Sequence, residues 1–260
     1  DAGVDLVVQL EHRRTEVDQN RLLGLRGKHA EEQYERKIAF SALTEMMASV
    51  TFCFSRSVNS AAKQHREKLN AAMSCIYSKL ERVEPLVMQA LVRYSYAQGR
   101  EICNHLRVWD VSYITGYRTK ILDGNHLSGT QHRLKEFRRE GAAALPGKSL
   151  VVLDPQCRAI QDIFPIEDGH AQERSALDEL IETVEEGDLW LADRNFCTHK
   201  LMYTIDKRNA VFLIRHHKNV VGEVSSKRRY IGKTETGKVY ERTMSLSAYQ
   251  GKTLKVRRIE

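Results

Sequence analysis

The feature that most constrains the fold is a change of hydrophobic period near Trp109. Before it, across residues 4–106, apolar side chains recur every three or four positions. Tyr34, Ile38, Ala42, Met46 and Val50 form one such stripe, and Leu69, Met73, Ile76 and Leu80 another. That spacing lines one face of an α-helix, and such stripes read as core-facing helix surfaces rather than a cofactor box. Glu84-Pro85 ends one helix and starts the next, because proline fits a first turn, where its missing N–H costs nothing.

After Trp109 the apolar residues come in short runs bounded by glycine, as strands do. Tyr117–Leu122 leads into Asp123, Ser149–Leu153 is a second run, and Ala159–Ile166 a third. An amphipathic helix is predicted over 172–186, with Leu177, Leu180, Ile181 and Val184 on one face and Gly187 closing it. Leu189–Ala192 reads as a fourth strand, Thr198 to about Arg208 as a helix, and Ala210–Arg215 as a fifth strand. The first three strands can form an antiparallel meander. The two later strand–helix–strand steps demand right-handed crossovers, which gives a mixed α/β sheet with helices packed on it. Beyond Lys218 the texture is again short strands, with a turn at Gly232–Gly237 and no helix. The chain therefore divides into a helical part (1–108), a mixed-sheet core (109–217) and the start of a β-rich insertion (218–260).

The formal net charge is +7, but its distribution says more. Arg194–Arg258 holds 16 Lys and Arg against 4 Asp and Glu, whereas Val151–Asp193 holds 2 against 12. A basic end favours a polyanion such as nucleic acid; a solvated, charged β surface is the plainer alternative. No apolar run approaches the roughly 18 residues that a membrane span needs, and Asp1–Leu10 lacks the form of a signal peptide. The default compartment is the cytoplasm, with no membrane partner. The five cysteines are widely spaced, without a C-x-x-C pair, and read as reduced, mostly buried thiols. An opening Asp and a strand-like close on Val-Arg-Arg-Ile-Glu lead us to expect a fragment.

Two carboxylates stand where packing alone would not put them. Asp123 lies in Lys-Ile-Leu-Asp-Gly-Asn and Asp193 in Leu-Trp-Leu-Ala-Asp-Arg-Asn-Phe. A carboxylate in such a run disfavours the strand, so each either caps a following turn or serves chemistry. If the first and fourth strands are neighbours, the two charges come side by side. They then repel unless a cation lies between them. Magnesium suits such hard oxygen ligands, and a pair of ions about 3.5–4 Å apart serves phosphodiester chemistry.

Other candidates have simpler readings. Gly232-Lys233-Thr234 and Gly251-Lys252-Thr253 lack the earlier glycine of a phosphate loop, since Lys227 and Leu246 stand there. His126 reads as a turn-stabilising surface residue, His170 as a helix cap, and His216-His217-Lys218 as either a solvated strand end or a phosphate contact. Strand alternation would aim Arg194 away from Asp193, toward DNA or an acidic neighbour.

The phrases Asp123-Gly124-Asn125-His126-Leu127-Ser128-Gly129-Thr130, Leu145-Pro146-Gly147-Lys148 through Leu153-Asp154, Glu167-Asp168-Gly169-His170-Ala171-Gln172-Glu173-Arg174-Ser175 and Leu191-Ala192-Asp193-Arg194-Asn195-Phe196 together resemble the DDE transposases of bacterial insertion sequences. The resemblance covers residues 110–215 well and points to the insertion-sequence-four group, which carries a Tyr-Arg-Glu-Lys signature. It implies a ribonuclease H-like core whose first two acids map onto Asp123 and Asp193, as catalytic and metal-binding residues. It further implies Mg2+, with Mn2+ able to substitute, and DNA partners: transposon terminal repeats and target DNA, held by a homodimer in a synaptic complex. The reaction implied is metal-dependent cleavage at transposon ends followed by strand transfer, that is, DNA transposition and recombination. The helical part would bind DNA or dimerise.

The signature that carries the family's third acid has no counterpart downstream of Asp193, and Glu260, at the end of a strand-like run, is not assigned that role. On this reading a third acidic ligand is expected beyond residue 260, and the chain alone is expected to be weak or inactive. Two rivals stay open: a stand-alone nuclease of the same fold, and a non-enzymatic or inactive DNA-binding fragment.

Overall fold

Helix gives way to sheet between Leu106 and Arg118. The computed structural model describes residues 38–107, 113–127, 147–166, 168 and 170–260. Tyr34, Trp109, Ser128–Thr130, Leu145-Pro146, Glu167 and Gly169, which the sequence reading used, lie outside the described residues. The chain forms two units, one holding the helices up to Gly99 and the other Arg100–Leu127 with Gly147–Glu260.

In the helical unit, α1 (Phe40–Thr51), α2 (Val58–Gln64), α3 (Arg66–Leu69) and α4 (Met73–Leu80) surround a cluster of Ile38, Ala42, Leu43, Met46, Ala61, Ala62, Leu69 and Ile76. Ser57 caps α2, its hydroxyl accepting from the Ser60 N–H at 3.2 Å. The stripe Leu69–Leu80 is broken where the sequence reads as continuous. Asn70 turns left-handed (φ 37°) and ends α3, a conformation that asparagine tolerates better than most residues. Leu69 and Ile76 still reach the same core, from two helices. The long helix α5 (Pro85–Leu106) begins at the proline, as predicted.

The second unit is built on a five-stranded sheet ordered β3-β2-β1-β4-β5. Its strands are β1 (Arg118–Leu127), β2 (Gly147–Asp154), β3 (Ala159–Ile166), β4 (Asp188–Ala192) and β5 (Val211–Ile214). β1–β2 and β2–β3 are antiparallel; β1–β4 and β4–β5 are parallel. This is the mixed sheet of a ribonuclease H-like core, with the first three strands in the expected antiparallel meander and β4 and β5 added in parallel. Strand alternation puts Leu122, Leu150, Val152, Phe164 and Trp190 on one face. There they pack with Leu177, Leu180 and Ile181 of α6 (Leu177–Glu182) and Leu201 and Ile205 of α7 (His199–Lys207).

The predicted helix over 172–186 is shorter in fact, with a 3-10 turn at Glu173–Ala176 followed by α6. Two side chains end it early. The Thr183 hydroxyl donates to the Leu180 carbonyl at 2.7 Å, and buried Asp188 accepts the Glu185 N–H at 2.9 Å, pulling the chain into β4.

A second, antiparallel sheet contains β6 (Gly222–Val224), β7 (Arg229–Thr234), β8 (Gly237–Tyr249) and β9 (Lys252–Ile259), with β8 pairing to all three others. Met244, Leu246 and Leu254 share a buried cluster with Met202 and Tyr203 of α7. The Tyr203 hydroxyl donates to the Ser247 carbonyl at 2.8 Å and accepts the Leu254 N–H at 3.1 Å, satisfying its polar atom inside that cluster.

All five cysteines are free, but they are not mostly buried as expected. Only Cys197 is buried; Cys53 sits in the left-handed turn (φ 61°) after α1, and Cys75 faces outward on α4. No described helix is long and apolar enough to cross a membrane.

Candidate functional site

Parallel pairing of β1 and β4 sets the site. Lys120 pairs with Trp190, Ile121 with Leu191 and Leu122 with Ala192. One step further the register reaches Asp123 beside Asp193, on strands whose spacing is about 4.8 Å. Both aspartates are exposed, and both line one cleft of about 720 Å³. Its walls are largely apolar, with Leu191, Phe212 and Leu213 among them, and Arg215, Arg257 and Arg258 add positive charge.

The two carboxylates are held by backbone N–H groups. Asp123 Oδ1 accepts from the Gly124 N–H at 2.9 Å. Asp193 lies just past the end of β4 and caps a 3-10 turn at Arg194–Phe196, its Oδ1 accepting from the Asn195 N–H at 2.8 Å. The capping role is therefore real for Asp193, and it engages one of the two carboxylate oxygens. Arg194 belongs to that turn rather than to the strand, so strand alternation does not govern its direction.

No described cation forms an ion pair with either aspartate, so their mutual repulsion is left to solvent or to a bound ion. Two adjacent carboxylates match the oxygen preference of a hard divalent cation. As a donor set they are partial: among the described residues no three His, Cys, Asp or Glu side chains cluster closely enough to hold a metal.

The remaining candidates are dispersed. His126 is exposed on β1. His170 does not cap the turn at Glu173; it is exposed, and its N–H donates to Asp168 Oδ1 at 2.8 Å. His216 Nε2 lies 3.0 Å from the Val220 carbonyl, and His217 Nδ1 accepts the Asn219 N–H at 3.1 Å, so both serve local turns. Gly232-Lys233-Thr234 is part of β7, and Gly251 is in the turn into β9; neither opens a helix as a phosphate loop must. Glu260 meets Arg242, Arg258 and Arg228 as a partner in ion pairs on the second sheet, away from any helix.

Sequence reasoning missed the support behind the aspartates. Glu173 lies over Gly124, where any Cβ would collide with its carboxylate, and its Oε2 accepts from Asn195 Nδ2 at 2.6 Å. Glu173, Gly124 and Asn195 all fall inside the phrases that carried the resemblance, which was the available signal.

No curated protein matches the sequence. Among solved structures, a piggyBac transposase in a synaptic complex with hairpin DNA, determined by cryo-electron microscopy, is similar over 90% of this chain and 55% of its own, at 11% identity and a TM-score of 0.32. The chain thus spans about half the length of that protein. The family profile described as the transposase DDE domain matches residues 115–259, which takes in both aspartates, both sheets and more than half of the sequence. This chain belongs to the transposase DDE domain family, a family of DNA transposition enzymes that use divalent metal ions.

Proposed function

We propose that Asp123 and Asp193 are the first two acids of a transposase active site that cleaves DNA at transposon ends and joins the freed 3′ end to target DNA. The observation that carries this is the β1–β4 register, which leads two exposed carboxylates into one cleft where no described side chain forms an ion pair with either. Mg2+ is the proposed ion, with Mn2+ able to substitute; bound there, it would stabilise the charge that develops on phosphodiester oxygens.

The chain's own part is to hold and orient. The Asn195 and Gly124 N–H groups each hold one oxygen of a carboxylate that lines the cleft, which restrains the side chains a metal ion would need. No protein nucleophile is required: water attacks first, and a DNA 3′ hydroxyl attacks in the joining step. Arg257 and Arg258 at the cleft, with the basic β7–β9 region around them, would meet backbone phosphates. We further assign the chain to the insertion-sequence-four group, and residues 1–108 to element-end binding or to contact with a second subunit in a homodimeric synaptic complex.

Metal binding is the first test. Mg2+ at ten times its Kd stabilises by about 1.4 kcal/mol. That raises the melting temperature of a chain this size by roughly 3–5 °C. The shift is expected in the wild type and absent from the Asp123→Asn, Asp193→Asn double variant; an equal shift in both would sink the assignment. In a DNA-cleavage assay either single variant should lose cleavage while still binding DNA. Absence of strand-transfer products despite cleavage would favour a stand-alone nuclease instead.

A further inference from the structure

We propose that Glu173 is a positioning residue for Asp193, acting through Asn195, a role that rests on the reading of Asp123 and Asp193 as the metal-binding pair. Three observations converge on it. Glu173 Oε2 accepts from Asn195 Nδ2 at 2.6 Å, and the backbone N–H of the same Asn195 donates to Asp193 Oδ1 at 2.8 Å. Residue 124, next to Asp123, has no side chain, and the carboxylate of Glu173 occupies the space that a Cβ there would need.

The geometry is a clamp from behind. Gly124 follows Leu122 by two positions, so strand alternation aims its missing side chain toward the helix-covered face, away from that of Asp123. Glu173 opens the 3-10 turn on that covered face and reaches both strand ends at once. It touches Gly124 on β1 and, through Asn195, the turn that follows β4. One side chain thereby sets the separation of the two aspartates without joining them in the cleft. This is why a third acid so close to the pair forms no cluster of three with them. Its negative charge is directed to an amide donor, which fixes the side-chain orientation of Asn195 and leaves the Asn195 N–H pointed at Asp193.

The test uses this chain and Mn2+, whose paramagnetism reports the free ion directly. Glu173→Ala and Asn195→Ala are each expected to weaken Mn2+ binding about tenfold or more, the range seen when the partner of a metal ligand is removed. Because the two act in series, the double variant should be no weaker than the worse single; losses that multiply would overturn the relay. Glu173→Gln keeps an acceptor for Asn195 and should stay within about threefold of wild type. Gly124→Ala displaces the Glu173 carboxylate without removing it and should mimic Glu173→Ala. Asp178→Ala, which breaks an exposed ion pair with Lys200 on the same face, should leave Mn2+ affinity unchanged.

A second readout is independent of metal. In the metal-free protein, hydrogen exchange at the Asn195 N–H should quicken about tenfold in Glu173→Ala and not in Asp178→Ala. Wild-type exchange and affinity in Glu173→Ala would overturn the proposal, as would faster exchange with unaltered Mn2+ affinity. A wild type that binds no Mn2+ while the exchange still responds would instead refute the metal reading and leave the clamp standing.

Discussion

The two ends of the β1–β4 pair treat carboxylates in opposite ways. At the start of the strands Asp188 is 0% exposed and lies 2.8 Å from Lys120 Nζ and 3.0 Å from an Arg118 guanidinium nitrogen. Lys120, itself buried, also sits 5.2 Å above the Trp190 ring. Five residues further on along each strand, Asp123 and Asp193 are exposed, line one cleft and form no ion pair with a described residue. A charge committed to holding strands together is buried and matched from within the chain. A charge meant for something outside the chain is left open, and the strand end bears the repulsion.

The largest expected effect tests the buried end. Asp188→Ala strands the Lys120 ammonium in the interior and removes the acceptor for the Glu185 N–H. Breaking one partner of a buried pair costs about 3–5 kcal/mol. For a chain of this size that corresponds to a fall in melting temperature of roughly 10 °C. Urea unfolding gives the number directly, and a loss under about 1 kcal/mol would mean that water or rearrangement satisfies Lys120, erasing the contrast.

At the open end the same kind of change should have the opposite sign. Asp123→Asn or Asp193→Asn removes one of two like charges that line the same cleft, and so relieves a solvent-screened repulsion. Asparagine also caps a turn as well as aspartate does, so the 3-10 turn after Ala192 keeps its cap. Each variant in metal-free, low-salt buffer should therefore unfold at the same or slightly higher urea concentration than wild type. Added salt should shrink the gain. A clear loss of stability would recast the pair as structural.

Much of this was legible in the sequence, for reasons that also explain the rest. Alternation and flanking glycines disclose β1 to β5, and a carboxylate interrupting an apolar run marks Asp123 and Asp193, because both signals are local. The break at Asn70 was missed since helical spacing persists across it, Leu69 and Ile76 reaching one core from separate helices. The early end of α6 depends on Asp188, six residues beyond the helix, and the clamp depends on residues 124, 173 and 195. Contacts at such separations have no period to betray them. In the second sheet the strands are readable, but their pairing with β8 is not, and the tie from Tyr203 of α7 to β8 and β9 spans more than forty residues.

Glu241 and Glu260 form a middle case that sharpens the comparison: surface carboxylates matched by arginines. A hydrogen bond from Arg229, opposed by some desolvation and aided by the charges of Arg229 and Arg257, holds Glu241 below the ordinary glutamate value of 4.5. Glu260 is lowered in the same way, first by its hydrogen bond from Arg242 and then by the charges of Arg242, Arg258 and Arg228. Lowered carboxylates favour the folded state above the unfolded value, and that contribution is lost as the pH falls through the lowered one. Both pairs bracket the place where Tyr240 and Glu260 exchange backbone hydrogen bonds of 2.8 and 2.9 Å. Once intrinsic pH effects are corrected, hydrogen exchange at the Tyr240 and Glu260 N–H groups should quicken as pH drops from about 5 to about 3. The effect should be small, because exposed ion pairs contribute little, and 0.5 M salt should flatten it. If 0.5 M salt left the acid dependence unchanged, the arginine pairs would not be its cause, and Glu241 and Glu260 would no longer stand between the two treatments of charge.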